Sequence, residues 1–240
     1  MPGKDNNPVN NSRQEAPPAL KDEIRAKYEK FARWYDLMDG IPEVLGVRRL
    51  RRRLLQRATG KVLEIAVGRG RNLRYYPEGC KITAVDFSPA MLEVARNRTD
   101  RLGLTIPCLA MDAEALAFPE QSFDTVVSSL SLCTFPDPAA ALREMARVCR
   151  PNGRILLLEH GRSDVEWLGR WQDRRADRHA KALGCRWNRE PLDLVRQAGL
   201  TLIAAQRIFF GIFHLLEVMS PGPTPAHITS GTESEGERAG

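Results

Sequence analysis

The chain has 240 residues, 42% of them hydrophobic and 28% charged, and 36 Lys and Arg against 30 Asp and Glu give a net charge of +6. That length allows one large domain, or one domain with a cap and tails, and no apolar run reaches the ~18–20 residues of a membrane span. Five cysteines (Cys80, Cys108, Cys133, Cys149 and Cys185) form no CxxC pair and no spaced Cys/His ligand set, which rules out a zinc ribbon, argues against a disulfide scaffold and leaves no metal expected; scattered thiols fit a reducing cytoplasm.

In chain order, residues 1–18 hold Asn, Pro, Ser and Gly with almost no apolar content and no apolar h-region, and read as a disordered tail rather than a secretory signal. The ordered domain is expected over 19–219, and 220–240 again lacks periodicity. Helices are expected over Leu20–Asp39 and Pro42–Thr59. The second carries Val47, Leu50, Leu54 and Leu55 at helical spacing among the arginines of 48–57. Its basic face is either the solvated side of a helix packed on a core or a surface for an anionic partner, with a peripheral membrane contact as the form that surface would take. No aromatic residues interleave the arginines to stack bases, so nucleic acid is not expected.

Short apolar runs then alternate with helical patterns. Strands are expected at Lys61–Val67, Lys81–Phe87, Leu104–Met111, Phe123–Ser131, Arg154–His160 and Leu200–Phe209. Helices are expected at Arg71–Tyr76, Pro89–Leu102, Pro138–Cys149, Asp164–Leu183 and Arg189–Ala198, with proline at the first turn of two of them and an Asn152-Gly153 turn before the fifth strand. Strand and helix in alternation give an α/β, doubly wound, mostly parallel sheet with helices on both faces.

The first strand runs Val62-Leu63-Glu64-Ile65-Ala66-Val67-Gly68-Arg69-Gly70, so two glycines follow an apolar strand and precede a helix. Glycine permits a tight turn and a close approach of backbone to ligand. Glu64 just before the loop would repel a pyrophosphate but suit a cationic or zwitterionic ligand. Asp86 ends the second strand, where a carboxylate can accept from a ribose diol, and Asp112 follows the third. All three acids fall at one sheet edge, where open α/β folds bind ligands. The alternative, that Asp86 and Asp112 only cap helices, accounts for each singly but not for three in register with the loop.

With these residues the sequence resembles the class I S-adenosylmethionine (SAM)-dependent methyltransferases over about Tyr28 to Val218. The family's acidic-x-Gly-x-Gly-x-Gly motif is Glu64 to Gly70, with Ala66 in place of the first glycine. Phe123 to Leu132 and Leu142 to Arg154 match the later motifs. The resemblance implies a Rossmann-like fold with a helical N-terminal cap over 20–59, a substrate cap over 162–190, and SAM as cofactor. It places Glu64, Ala66, Gly68, Gly70, Asn72, Asp86, Phe87, Met91, Asp112, Ala113 and Ser129 at the cofactor, with Asp86 on the ribose, Asp112 and Ala113 on the adenine edge, and Phe87 or Met91 on its face.

Asn72 to Cys80, Leu130-Ser131-Leu132-Cys133, Leu158-Glu159-His160 and Gly184 to Glu190 are similar, more narrowly, to the alkyl-thiol S-methyltransferases and to the phosphatidylethanolamine and quinone methyltransferases. The function this implies is methyl transfer to a small, largely apolar acceptor, a thiol or dithiol sulfur first. A lipid amine or quinone ring is the alternative, and a non-catalytic SAM-binding regulatory module is the alternative from another class. A thiol titrates near pH 8.5 and needs only modest help to become nucleophilic.

His160 at the end of the fifth strand either orients or deprotonates the acceptor or is bonded to backbone. Tyr28 and Tyr35 either cover the acceptor or pack on their helix. Cys133 and Cys185 either line the pocket or fill space. His179 and His214 have no evident partner in the sequence. The expected partner is a small-molecule acceptor, the expected state a monomer or homodimer, and the expected location the cytoplasm.

Overall fold

The structure, a computed structural model, describes residues 46–219 together with Asp22, Glu23 and Ala26. Both expected tails lie outside the described residues, as do Tyr28, Tyr35 and most of the expected Leu20–Asp39 helix. Helix α1 spans Arg48–Leu55. Strand β1 (Lys61–Ile65), a 3-10 turn (Leu73–Tyr75), β2 (Lys81–Asp86), α2 (Pro89–Arg101), β3 (Cys108–Ala110) and β4 (Phe123–Ser129) follow. Then come α3 (Pro138–Val148), β5 (Cys149–His160), α4 (Glu166–Leu183), α5 (Pro191–Gln197), β6 (Thr201–Ile208) and β7 (Phe213–Met219). Among the described residues no helix is long and apolar enough to cross a membrane.

The seven strands form one sheet in the order β3-β2-β1-β4-β5-β7-β6. Pairs from β3 through β5 are parallel, whereas β7 runs antiparallel to both β5 and β6. This is the doubly wound, mostly parallel sheet expected from the alternation. The central strands are near-continuous apolar runs because a parallel strand buried on both faces has no polar side to present. Along β5, Ile155 and Leu157 enter the core layer formed with Leu142, Met145, Leu194 and Val195 of α3 and α5. Leu156 and Leu158 point the other way, onto Leu50, Leu54 and Leu55 of α1. That alternation is the period of two that a strand imposes.

Local chemistry sets the element ends. Ser88 caps α2 by accepting from the Met91 amide at 3.3 Å, with Pro89 at the first position. Asp137 caps α3 by accepting from the Ala140 amide at 2.9 Å. Gly184 closes α4 in the left-handed region at φ 71°.

Several of the sequence-based elements need correction. The third strand is only Cys108–Ala110, and the fourth stops at Ser129 because Leu130 turns to φ 56°. The Arg71–Tyr76 helix shrinks to the 3-10 turn. The fifth strand starts at Cys149, so the Asn152-Gly153 turn sits inside it as an irregularity in the pairing with β4. Beyond the expected last strand there is another, β7, inserted between β5 and β6. Its sequence Phe-His-Leu-Leu-Glu-Val-Met carries two polar residues, His214 and Glu217, and both are buried. Glu217 is paired with Arg57 and with Arg154 at 3.1 Å, and His214 lies 3.7 Å from Glu190. These partners come from distant segments, so the run does not read as a core strand in isolation.

Candidate active site

The order of strands reverses between β1 and β4, and the carboxyl ends of the strands flank a crevice there. A cavity of about 360 Å³ occupies it. Its walls include every cofactor residue expected above except Gly70, together with His160, Cys133 and Cys185. Gly70 instead shapes the turn. Its amide donates to the Val67 carbonyl at 2.9 Å, and a Cβ there would stand 2.8 Å from Leu73 Cδ1. Gly68, at φ 52°, has open space where a Cβ would go, with only the Ala66 carbonyl oxygen 3.9 Å away. Backbone is thus presented bare to the cavity.

Asp86 holds this loop. Its Oδ2 accepts from the Gly68 amide at 2.8 Å and its Oδ1 from the Ser88 amide at 2.9 Å. Burial raises its carboxyl above the usual range, while the amides of Ser88 and Gly68 pull it back. The cap of α2 is Ser88, so Asp86 is not simply a helix cap. Asp112 accepts from the Glu114 amide at 2.9 Å and lines the cavity beside Ala113, with Phe87 and Met91 nearby.

Glu64 lies at the centre of a clamp. Its carboxylate accepts from Asn72 Nδ2 and from the Tyr76 hydroxyl, each at 2.9 Å. Asn72 Nδ2 also donates to Ser129 Oγ at 3.0 Å, and Asn72 Oδ1 accepts from Arg51 Nη1 at 2.9 Å. Burial pushes the Glu64 carboxyl up to about 7 against these bonds. Arg51 is the residue that sequence reasoning missed. The sequence groups it with a solvated arginine face, yet it is buried and lines the cavity, while Arg48, Arg49, Arg52 and Arg53 are exposed. The signal was available, because Arg51 sits one residue from the Leu50 stripe and four from Leu55.

Across β1 from Asp86, the ends of β4 and β5 build the other wall. Glu159 is fully buried. Its carboxylate accepts from Ser128 Oγ at 2.9 Å and from the amides of Ser131 and Leu132 at 3.0 and 3.2 Å, which fixes the loop that carries Cys133. Arg189 Nη1 donates to the Leu132 and Phe135 carbonyls at 2.6 and 2.7 Å, and the Arg186 amide donates to the Cys133 carbonyl at 2.9 Å. His160 Nε2 lies 3.5 Å from Cys185 Sγ, and the Trp187 backbone also bonds the ring.

The neighbouring Cys133 thiol is the main reason Cys185 falls to about 5, with burial opposing it and His160 adding to it. The same neighbour, with burial, drives Cys133 well up. Burial would lower His160, but its contact with Cys185 raises it overall. His179 does have partners: Nδ1 lies 2.8 Å from the Cys185 carbonyl and its ring stacks on Trp187 at 4.1 Å.

So the structure brings together three residues whose spacing, 27 and 25 positions apart, shows no ligand set in the sequence. Cys133, His160 and Cys185 have ligand atoms all within 4.8 Å of one another.

Comparison with known proteins fits this geometry. A family model described as a methyltransferase domain matches residues 63–157. The mitochondrial methyltransferase OMS1 of Saccharomyces cerevisiae is 29% identical over 208 residues, which cover 77% of this chain and 43% of that protein. A phosphatidylethanolamine N-methyltransferase of Cereibacter sphaeroides is 36% identical over 142 residues, 58% of this chain and 70% of that one. The chain therefore spans less than half of the yeast relative. A solved SAM-dependent methyltransferase of Thermotoga maritima superposes with a TM-score of 0.60 at 22% identity, covering 82% of this chain and 99% of that one, and shows the same fold.

Proposed function

Because the chain belongs to the family of SAM-dependent methyltransferases, we propose that it moves a methyl group from SAM to a small, largely apolar acceptor whose nucleophile is a thiol sulfur. The observation that carries this is one continuous cavity with two unlike ends. One end offers a bare glycine backbone at Gly68, a ribose-type acceptor in Asp86, and Asp112 with Ala113 for an adenine edge. Between the ends, Arg51 supplies a positive charge and Glu64, on giving up the proton that burial holds on it to about pH 7, a negative one, for a zwitterionic amino-acid group. The far end is made by Phe135, Phe213, His160, Cys133 and Cys185, apolar rings around soft donors.

SAM supplies an already activated methyl on a sulfonium, so the protein's work is proximity, orientation and exclusion of water. Neighbouring strands lie about 4.8 Å apart, so Asp86 on β2 and His160 on β5 are roughly 14 Å apart along the crevice. That distance lets a ligand lying across β1 and β4 reach both. His160 faces the acceptor end and orients the nucleophile there.

A second reading has a lipid amine as acceptor. The similarity to a phosphatidylethanolamine N-methyltransferase supports it, as does the exposed basic face of α1 formed by Arg48, Arg49, Arg52 and Arg53. Turnover with labelled SAM, measured side by side on an alkyl thiol and on anionic vesicles carrying amine lipids, separates the two. The thiol reading expects methylation of the free thiol without vesicles. Turnover on the vesicles alone would transfer the assignment to the lipid, and absence of SAM binding in calorimetry at millimolar concentration would remove both.

A further inference from the structure

We infer that Cys133 Sγ, His160 Nε2 and Cys185 Sγ form a binding site for a soft divalent metal ion, zinc by ligand type, with its fourth position open to the acceptor end of the cavity. Among the described residues, this is the group of three side chains of metal-binding type whose ligand atoms all lie within 4.8 Å of one another. The ligand types are those of zinc sites with two thiolates and one imidazole. Zinc–sulfur bonds of about 2.3 Å and zinc–nitrogen bonds of about 2.0 Å at a tetrahedral angle set the sulfur and nitrogen ligands roughly 3.5 Å apart. The Cys185 Sγ to His160 Nε2 distance is 3.5 Å, already at that edge length.

The surroundings match what holds a metal ligand in place. Ligating imidazoles are oriented by a bond from the ring to a carbonyl or carboxylate, and here the Trp187 backbone bonds the His160 ring. The Cys133 loop is fixed by Glu159 through two amides and by Arg189 through two carbonyls. The Arg186 amide ties the Cys185 segment directly to the Cys133 carbonyl at 2.9 Å. All three residues also line the cavity. Three protein ligands with an open fourth position are the arrangement of a reactive zinc site, whereas structural sites close all four.

The ligand set stands on geometry. Its use rests on the thiol reading above, which it deepens. An acceptor thiol entering the fourth position gives its proton to solvent and binds as a thiolate, with no change in oxidation state of metal or sulfur. The bound sulfur keeps a lone pair for attack on the methyl group. Phe135 and Phe213, which line the same cavity, favour acceptors with a small apolar substituent.

The test uses the full chain, purified reduced, freed of metal and titrated with cobalt(II) as a spectroscopic stand-in for zinc. The expected result is one ion bound per chain, with a thiolate-to-cobalt charge-transfer band and the visible bands of a tetrahedral site. Cys133→Ser and Cys185→Ser should each weaken binding at least ~100-fold with the fold unchanged by circular dichroism, and Cys80→Ser should change nothing. Adding an alkyl thiol should shift the visible bands, in the absence of SAM.

No charge-transfer band, or one that survives in the Cys133→Ser/Cys185→Ser double variant, overturns the site. An intact mass two units light, lost on reduction, with the Cys133–Cys185 bridge found by peptide mapping, also overturns it. A tetrahedral cobalt spectrum that no thiol perturbs overturns the open acceptor position while sparing the ligands. Calorimetry with SAM on the metal-free chain reads the methyltransferase assignment independently.

Discussion

Ala66 shows what one residue contributes. It stands at φ 50°, a region that costs an L-residue roughly 1–2 kcal/mol. The family places glycine there, so the substitution strains the loop as well as narrowing it. Ala66→Gly relieves the strain but frees the unfolded chain, for a net gain of about 0.5–1 kcal/mol in denaturant unfolding; a loss of stability would show that the alanine methyl packs favourably.

Glu64 carries a pH signature. Its carboxyl stands at about 7 when folded against an ordinary 4.5, so the folded chain holds a proton that the unfolded chain releases. The stability from that proton is fully present below pH 4.5 and is lost as pH rises through 7, on the order of 3 kcal/mol. Glu159, fully buried and likewise pushed up to about 7, adds a slope of the same sign, so Glu64→Gln should reduce the loss of stability between about pH 5 and about pH 8 rather than abolish it. Parallel curves for the two chains would place the Glu64 carboxyl back in its ordinary range. Of the candidate site, Glu64, Asp86 and Asp112 were legible because an acid at a strand end repeats a recognisable pattern. The grouping of Cys133, His160 and Cys185 was not, because it depends on two crossovers that bring the end of β5 and the segment after α4 to one loop.

At the scale of elements, α1 is the informative case. Its apolar stripe was legible in full, and Leu50, Leu54 and Leu55 are buried as the spacing requires. The stripe is wider than the leucines alone, because Arg51 goes in with them and donates to Asn72. A helix described as apolar on one face and basic on the other therefore sends one of its arginines into the site. Arg51→Ala should weaken SAM binding about 10–100-fold, the loss of a charged hydrogen bond of roughly 1.5–3 kcal/mol, whereas Arg52→Glu with Arg53→Glu should leave it unchanged. Calorimetric titration of the three chains decides this. Equal affinity in all of them would reduce Arg51 to a packing residue. A membrane role for this helix would fall to its exposed arginines, not to Arg51.

For the whole molecule, the sheet from β3 to β5 was legible from apolar runs and turn signals, and β7 was not. Its partners, Arg57, Arg154 and Glu190, lie far away in sequence. The turn before it is made by Phe209, Phe210 and Gly211, all at positive φ and without the Asn-Gly or Asp-Gly pairs that announce hairpins. Yet β7 is part of the core, with Leu216 and Val218 in its main cluster. Leu216 is 1% exposed and pairs with Leu157 on one side and Ala205 on the other. Leu216→Ala should destabilise by about 2–5 kcal/mol, read as a lower unfolding midpoint at unchanged slope.

The position of β7 also orders events at the ribosome. The last strand of the sheet to be synthesised sits second from its edge, so β6 has nothing to pair with until β7 has emerged and inserted beside β5. Until β7 is available, the nascent chain carries an open β5 edge whose backbone N–H and C=O groups from Arg154 to His160 lack the partners that β7 supplies. The half of the sheet that holds Gly68 and Asp86 can close early. The wall that holds His160 is registered only when Phe213 pairs with it, so that side of the cavity is assembled after β7 has been made.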